Sequence, residues 1–147
     1  MQLNIHENAI SDLKFLSEKD AEGVAYIDLV FNLISQNPSF LEHLFQEQNF
    51  RDYYDPPDNI LGICVKRIRS LWKRDIKVMR IRLDDESVIN YRIIFCTNYE
   101  KQADGSYANR EIQILAVLDK QVNKFNYEVD HTITQRIIRD YAELSSN

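Results

Sequence analysis

The sequence predicts an α+β fold, in which a small antiparallel sheet packs against N-terminal helices and is accompanied by an extra helical insertion and a C-terminal helix. Three observations carry this expectation. Residues 76–120 read IKVMRIRLDDESVINYRIIFCTNYEKQADGSYANREIQILAVLDK, three runs rich in β-branched and aromatic residues, broken by Asp84-Asp85-Glu86 and by a polar loop with Asp104-Gly105-Ser106. Consecutive antiparallel strands are the natural outcome of that pattern. Ahead of it, Ala9, Leu13 and Leu16, and then Val24, Ile27, Val30, Phe31 and Ile34, recur at helical spacing. Behind it, Ile137, Ile138, Tyr141 and Leu144 do the same.

Taken in order, Leu3 to Ile5 makes a short opening strand, and Asn8 is placed to cap the first helix. The second helix follows Ser17-Glu18-Lys19-Asp20 and stops at Asn37-Pro38, because the residue before a proline is driven out of the helical region. Both apolar stripes need a surface, and the sheet of residues 76–120 is the one available. Ser39 is placed to cap a third helix through Phe40, Leu41, Leu44 and Phe45, ending near Gln48. Pro56 and Pro57 make residues 51–59 a loop. Residues 60–73 combine Ile60, Ile63, Ile68, Leu71 and Trp72 with Lys66, Arg67, Arg69 and Lys73, and Arg74 follows. A basic amphipathic helix is the preferred assignment there, and a strand followed by a turn is the alternative. In the first strand of the sheet, Met79, Ile81 and Leu83 share one face, while Val78, Arg80 and Arg82 share the other. The third run, with Ile112, Ile114, Ala116 and Leu118 alternating with Gln113, Leu115 and Val117, is apolar on both parities, as in a central strand covered on both faces. Thr134 is placed to cap the final helix.

A chain of 147 residues fits one domain, residues 1–147, and its 44% hydrophobic and 28% charged residues are those of an ordinary globule. It contains no apolar run of membrane-spanning length and no signal-like N-terminus, so a cytoplasmic protein is expected. With three glycines, it has no Gly-rich phosphate loop. Cys64 and Cys96 form no C-x-x-C pair and are expected as reduced, buried or half-buried thiols. His6 and His43 have no partners at ligand spacing, so neither a metal site nor a cofactor is expected. The net charge of −5 argues against a nucleic-acid binder until its distribution is considered. Residues 1–50 hold two Lys/Arg against eight Asp/Glu, residues 51–82 hold nine against four, and residues 83–147 hold seven against eleven. Positive charge is therefore concentrated in the block leading into Arg80 and Arg82, and a local patch is enough to hold phosphate on an acidic protein.

The succession R-I-R-L, a short turn, Y-R-I-I-F, a loop, I-Q-I-L-A-V-L-D-K and a downstream Y-E resembles the sheet of the RelE/ParE superfamily of bacterial toxins. The resemblance covers residues 1–37 and 75–130, and the block at about 38–74 is longer than the matching connection in compact members. It implies a toxin of a toxin–antitoxin pair, a metal-independent endoribonuclease that cuts mRNA, usually on the ribosome, and so inhibits translation. A cognate antitoxin would be its partner. Such cleavage needs cations to stabilise the phosphate's developing charge and a group that moves a proton. By the resemblance, Arg80, Arg82 and Arg92 take the cationic roles and Lys120 lies near a further basic position. Tyr127 takes the late tyrosine's place, with Phe125 as the alternative occupant. His131 has a suitable intrinsic pKa, and Asp119 is a further proton acceptor. Lys66, Arg67, Arg69, Lys73 and Arg74 are expected to contact RNA. Trp72, Tyr53, Tyr54, Tyr99 and Tyr107 are weaker candidates for base stacking. The superfamily also contains non-enzymatic ParE-like inhibitors of DNA gyrase, and an inactive protein-binding member is a third expectation.

Overall fold

The computed structural model describes residues 1–50, 53–54, 62–125, 127–128 and 131–145, with the side chains of 47–50 and 53–54 excepted. The elements are β1 (Gln2–Ile5), α1 (Glu7–Ser17), α2 (Ala21–Ser35), α3 (Pro38–Phe50), β2 (Tyr53–Tyr54), β3 (Ile63–Arg67), α4 (Arg69–Trp72), β4 (Met79–Leu83), β5 (Tyr91–Lys101), β6 (Tyr107–Asp119) and α5 (Thr132–Ser145). A 3-10 turn, Glu86–Val88, joins β4 to β5. The class is α+β, as expected, but the sheet is larger and mixed. Among the described residues it has six strands in the order β1-β6-β5-β4-β3-β2, with β1 parallel to β6 and every other pair antiparallel.

Strand alternation builds two cores back to back. Met79, Ile81, Leu83, Ile93, Phe95, Ile112 and Ile114 join the buried stripes of α1, α2 and α3 on one face. On the other, Ile94, Cys96, Leu115, Ala116 and Leu118 pack with Ile68, Leu71, Phe125 and Ile137. The third run thus is a central strand covered on both faces. The join between α2 and the sheet is tight. Asp20 caps α2 by accepting from Gly23 N–H at 3.0 Å and accepts the Tyr91 hydroxyl at 3.0 Å. A Cβ on Gly23 would lie 2.1 Å from Asp20 Oδ2 and 3.0 Å from the Tyr91 ring, so this helix start admits only glycine without displacing its own cap.

The structure corrects five local expectations. Residues 60–73 are not one helix: Ile63–Arg67 is a strand and only Arg69–Trp72 is helical. β4 has a second edge of backbone donors and acceptors to satisfy, and Ile63 and Val65, both buried, alternate in step with its inward face. Asn8 does not cap α1; His6 does, its Nδ1 accepting from Asn8 N–H at 3.1 Å, while the Asn8 amide reaches Asp140 at 2.7 Å. Ser39 is displaced as cap by Asn37, whose side chain accepts from Phe40 N–H at 3.2 Å and leaves Pro38 at the first helical position, where its missing N–H costs nothing. Thr134 lies inside α5 and is buried; His131 caps that helix through Nδ1, which accepts from Ile133 N–H at 3.1 Å. Of the loop expected at 51–59, Tyr53–Tyr54 form an edge strand on β3 and the remainder lies outside the described residues.

A polar latch joins α1 to α5 at the edge of β6 beyond the reach of β1. Arg136 donates to both carboxylate oxygens of Asp12 at 2.7 Å, and Asp12 in turn accepts the backbone N–H of Val117 at 3.0 Å. Among the described residues no helix is long and apolar enough to cross a membrane.

Candidate functional site

The face of the sheet opposite α1–α3 is covered only in part. Where α5 and α4 leave it open, a cleft of about 470 Å³ is floored by Arg80, Arg82 and Arg92. Lys120 and Tyr127 bound it on the side of β6, and Arg67, Ile68, Arg69 and Ser70 on the side of the β3–α4 turn. Among the described residues nine line the cleft; six of their side chains are cationic and none is a carboxylate.

Parity explains the floor. Met79, Ile81 and Leu83 are buried toward the helices, which turns Arg80 and Arg82 to the opposite face, half-buried and exposed respectively. Because Ile81 pairs with Ile93, Arg92 stands beside Arg82 on the neighbouring strand. Arg92 is only 8% exposed, and its Nη1 donates to the carbonyls of Ile89 and Tyr91, both at 2.8 Å. Its Nε is buried without a hydrogen-bond partner among the described residues. Burial lowers the Arg92 pKa from the usual arginine range, Tyr127 opposes that change, and Arg80 and Arg82 add to it by repulsion. An arginine remains protonated even so. Lys120 is positioned by its backbone N–H, which donates to Asn90 carbonyl at 2.9 Å and ties the end of β6 to the turn before β5.

Tyr127 closes the cleft from the segment between β6 and α5. Its φ of 65° is left-handed, a strained backbone for an aromatic residue and one that tertiary packing must hold. Phe125 supplies that packing, with ring centroids 4.7 Å apart, and the Arg80 guanidinium lies 5.8 Å from the Tyr127 ring centroid. The Tyr127 hydroxyl is buried within electrostatic reach of Arg80 and Arg92 but is aligned with no hydrogen-bond partner among the described residues. Burial raises its pKa above that of an ordinary tyrosine, with the two arginines pulling the other way. Tyr127 therefore holds its proton at neutral pH.

Five of the six residues expected to carry chemistry, Arg80, Arg82, Arg92, Lys120 and Tyr127, meet in this cleft. His131 does not. It caps α5, its Nε2 lies 3.3 Å from Asn123 carbonyl, and its ring packs against Phe125 at 5.2 Å. Asp119 is likewise occupied, accepting from Gln121 and Val122 N–H in the turn after β6. Of the expected RNA contacts, Arg67 and Arg69 line the cleft, while Lys66, Lys73 and Arg74 are exposed outside it. Trp72 is committed to the fold, because its indole N–H donates to Val78 carbonyl at 2.7 Å and its ring carries the Arg67 guanidinium at 3.9 Å. Tyr99 and Tyr107 pack with Phe45 at the far end of the β5–β6 hairpin. Sequence reasoning misses Ile68 and Ser70, since a helix over 60–73 gives them no reason to face β4; the alternating Ile63 and Val65 are the available signal. Among the described residues no three His, Cys, Asp or Glu side chains converge as metal ligands.

Comparison with family models, curated proteins and solved structures finds no match. The geometry defines an α+β protein with an open cationic cleft.

Proposed function

We propose that this chain is a RelE/ParE-like toxin, an endoribonuclease that cleaves mRNA, inhibits translation and is held in check by a cognate antitoxin. The observation that carries the proposal is convergence. Arg80 and Arg82 of β4, Arg92 of β5, Lys120 after β6 and Tyr127, far apart in sequence, line one cleft, and no carboxylate lines it among the described residues. A phosphodiester is the natural occupant of such a site.

In the proposed reaction the 2′-oxygen of a ribose attacks the adjacent phosphorus, forming the O2′–P bond as the P–O5′ bond breaks. Arg80 and Arg82 hold the non-bridging oxygens. Arg92, anchored to two backbone carbonyls, presents its remaining guanidinium edge to the developing charge at little reorganisation cost. Tyr127, neutral and buried, donates the proton that the departing 5′-oxygen requires. No imidazole or carboxylate lines the cleft among the described residues, which leaves solvent to take the 2′ proton, while the Lys120 ammonium adds to the cations that hold the phosphate. That same composition favours a second reading, a member of the family that binds without cutting, its partner being DNA gyrase or another protein.

The test is mRNA integrity after brief expression of the chain, with Arg82→Ala beside it. Arg82 is exposed, so its loss leaves the fold intact, whereas Arg92 also braces the turn before β5. Cleavage that falls by about 10²–10³-fold in the variant supports the ribonuclease, at the usual worth of one preorganised donor. Intact mRNA in arrested cells moves the assignment to the protein-directed reading.

A further inference from the structure

In the proposed reaction the attacking 2′-hydroxyl must be turned so that a lone pair faces the phosphorus, which requires a partner that accepts its hydrogen. The cationic side chains lining the cleft cannot be that partner, because a guanidinium or an ammonium only donates. Ile68 is apolar. Tyr127 carries an oxygen, but it is buried within electrostatic reach of Arg80 and Arg92, whose donors compete for its lone pairs. Among the described lining residues, Ser70 alone brings a further side-chain acceptor. The backbone carbonyls beside it are taken: that of Ile68 accepts from Leu71 and Trp72 N–H, and that of Arg69 from Lys73 N–H.

Local structure leaves the Ser70 hydroxyl available. Ile68 N–H donates to Val78 carbonyl at 3.2 Å, and the buried Ile68 and Leu71 then seat α4 in the second core, on the sheet face that carries Arg80. Ser70 stands between them, exposed at the cleft wall. Ser11, Ser17 and Ser35 turn their hydroxyls back onto carbonyls of their own helices three or four residues earlier. Ser70 makes no such bond among the described residues, since α4 begins at Arg69 and the carbonyls three and four residues before Ser70 belong to β3.

We infer that Ser70 orients the attacking ribose: its Oγ accepts the hydrogen of the 2′-hydroxyl, holds the 2′-oxygen toward the phosphorus gripped by Arg80, Arg82 and Arg92, and so makes the cleft select RNA over DNA. The inference rests on the ribonuclease reading and adds to it which residue recognises the sugar. Ser70 does not act as the base. A serine hydroxyl is too weakly basic to keep the 2′ proton, which passes to water as the O2′–P bond forms. Removing the hydroxyl therefore costs one neutral hydrogen bond and leaves the grip on the phosphate in place.

The test uses a short single-stranded RNA as substrate and a DNA oligomer of the same sequence as competitor. Ser70→Ala should lower kcat/KM for the RNA by roughly 3- to 10-fold, while the inhibition constant of the DNA, which has no 2′-hydroxyl to lose, keeps its wild-type value. Ser70→Thr retains a hydroxyl and should cleave close to wild type. Arg82→Ala, by contrast, should weaken both RNA turnover and DNA competition, since both strands carry the phosphate. A Ser70→Ala chain that cleaves at the wild-type rate, or that loses RNA and DNA to the same extent, overturns the sugar contact while the ribonuclease reading stands. A wild-type chain that cleaves no RNA overturns both. Thermal melts of the Ser70 variants, expected to match wild type because the side chain is exposed, exclude unfolding as the cause.

Discussion

On the α1–α3 side of the sheet, the inward positions of β3, β4 and β5 are filled by aliphatic and aromatic side chains that water scarcely reaches; on the other side the same strands carry Lys66, Arg80, Arg82 and Arg92 next to a second, smaller core. Both surfaces come from one alternation. In Met79-Arg80-Ile81-Arg82-Leu83 each apolar residue that holds the sheet to the helices obliges its neighbour to face the cleft. The difference teaches that stability and ligand binding are separable here residue by residue, even on a single strand.

The sharpest way to break the comparison is at adjacent positions. Ile81→Ala, which empties a site 1% exposed, should cost about 2–5 kcal/mol in urea unfolding. Arg82→Ala next to it should change stability by less than about 0.5 kcal/mol while lowering cleavage as stated above. Comparable destabilisation by both would show that the cleft arginines help hold the fold.

A second contrast lies within the cleft face, between the half under α5 and the open half. Cys96, in the covered half, is 1% exposed, and burial pushes its pKa from 9.0 up to about 12. The fold therefore favours the neutral thiol. That contribution is complete below about pH 9 and is lost as pH rises toward 12, amounting to roughly 4 kcal/mol at most. Unfolding midpoints measured across this range should fall more steeply for wild type than for Cys96→Val. Tyr91, whose pKa is raised by burial and by Asp20, leaves some alkaline sensitivity in the variant. Parallel curves would mean that the covered half is wetter than its packing indicates.

The smallest expected effect concerns His131. As a cap, its replacement by alanine should cost about 1 kcal/mol and leave cleavage per folded molecule unchanged. A pH-dependent loss of cleavage in His131→Ala would instead bring the imidazole into the reaction. The two arms are read from the same preparations by thermal melting and by an RNA cleavage profile against pH.

Much of the fold was legible because it depends on local periodicity. The stripes of α1 and α2, the breaks at Asn37-Pro38 and at 84–86, and the central position of β6 all follow from residue spacing. Caps were less legible. His6 and His131 each use Nδ1 as a cap acceptor, while the nearby Asn8 and Thr134, of types that favour caps, lie inside their helices. Asn8 instead meets Asp140, a partner 132 residues away that no local pattern contains.

The sequence by itself determined the alternation that puts Arg80 and Arg82 together and the concentration of positive charge before them, because strand period and local composition are properties of neighbours along the chain. Only the tertiary structure decided that Ile63–Arg67 is a strand, since the backbone groups it satisfies belong to β4 and its apolar residues must match a core assembled from other elements. It likewise brought Arg67, Arg92, Lys120 and Tyr127 to one cleft while leaving His131 at the start of α5. The physical reason is the same in each case. Long-range pairing sets which faces meet, and a short apolar run has no helical or extended preference strong enough to resist it.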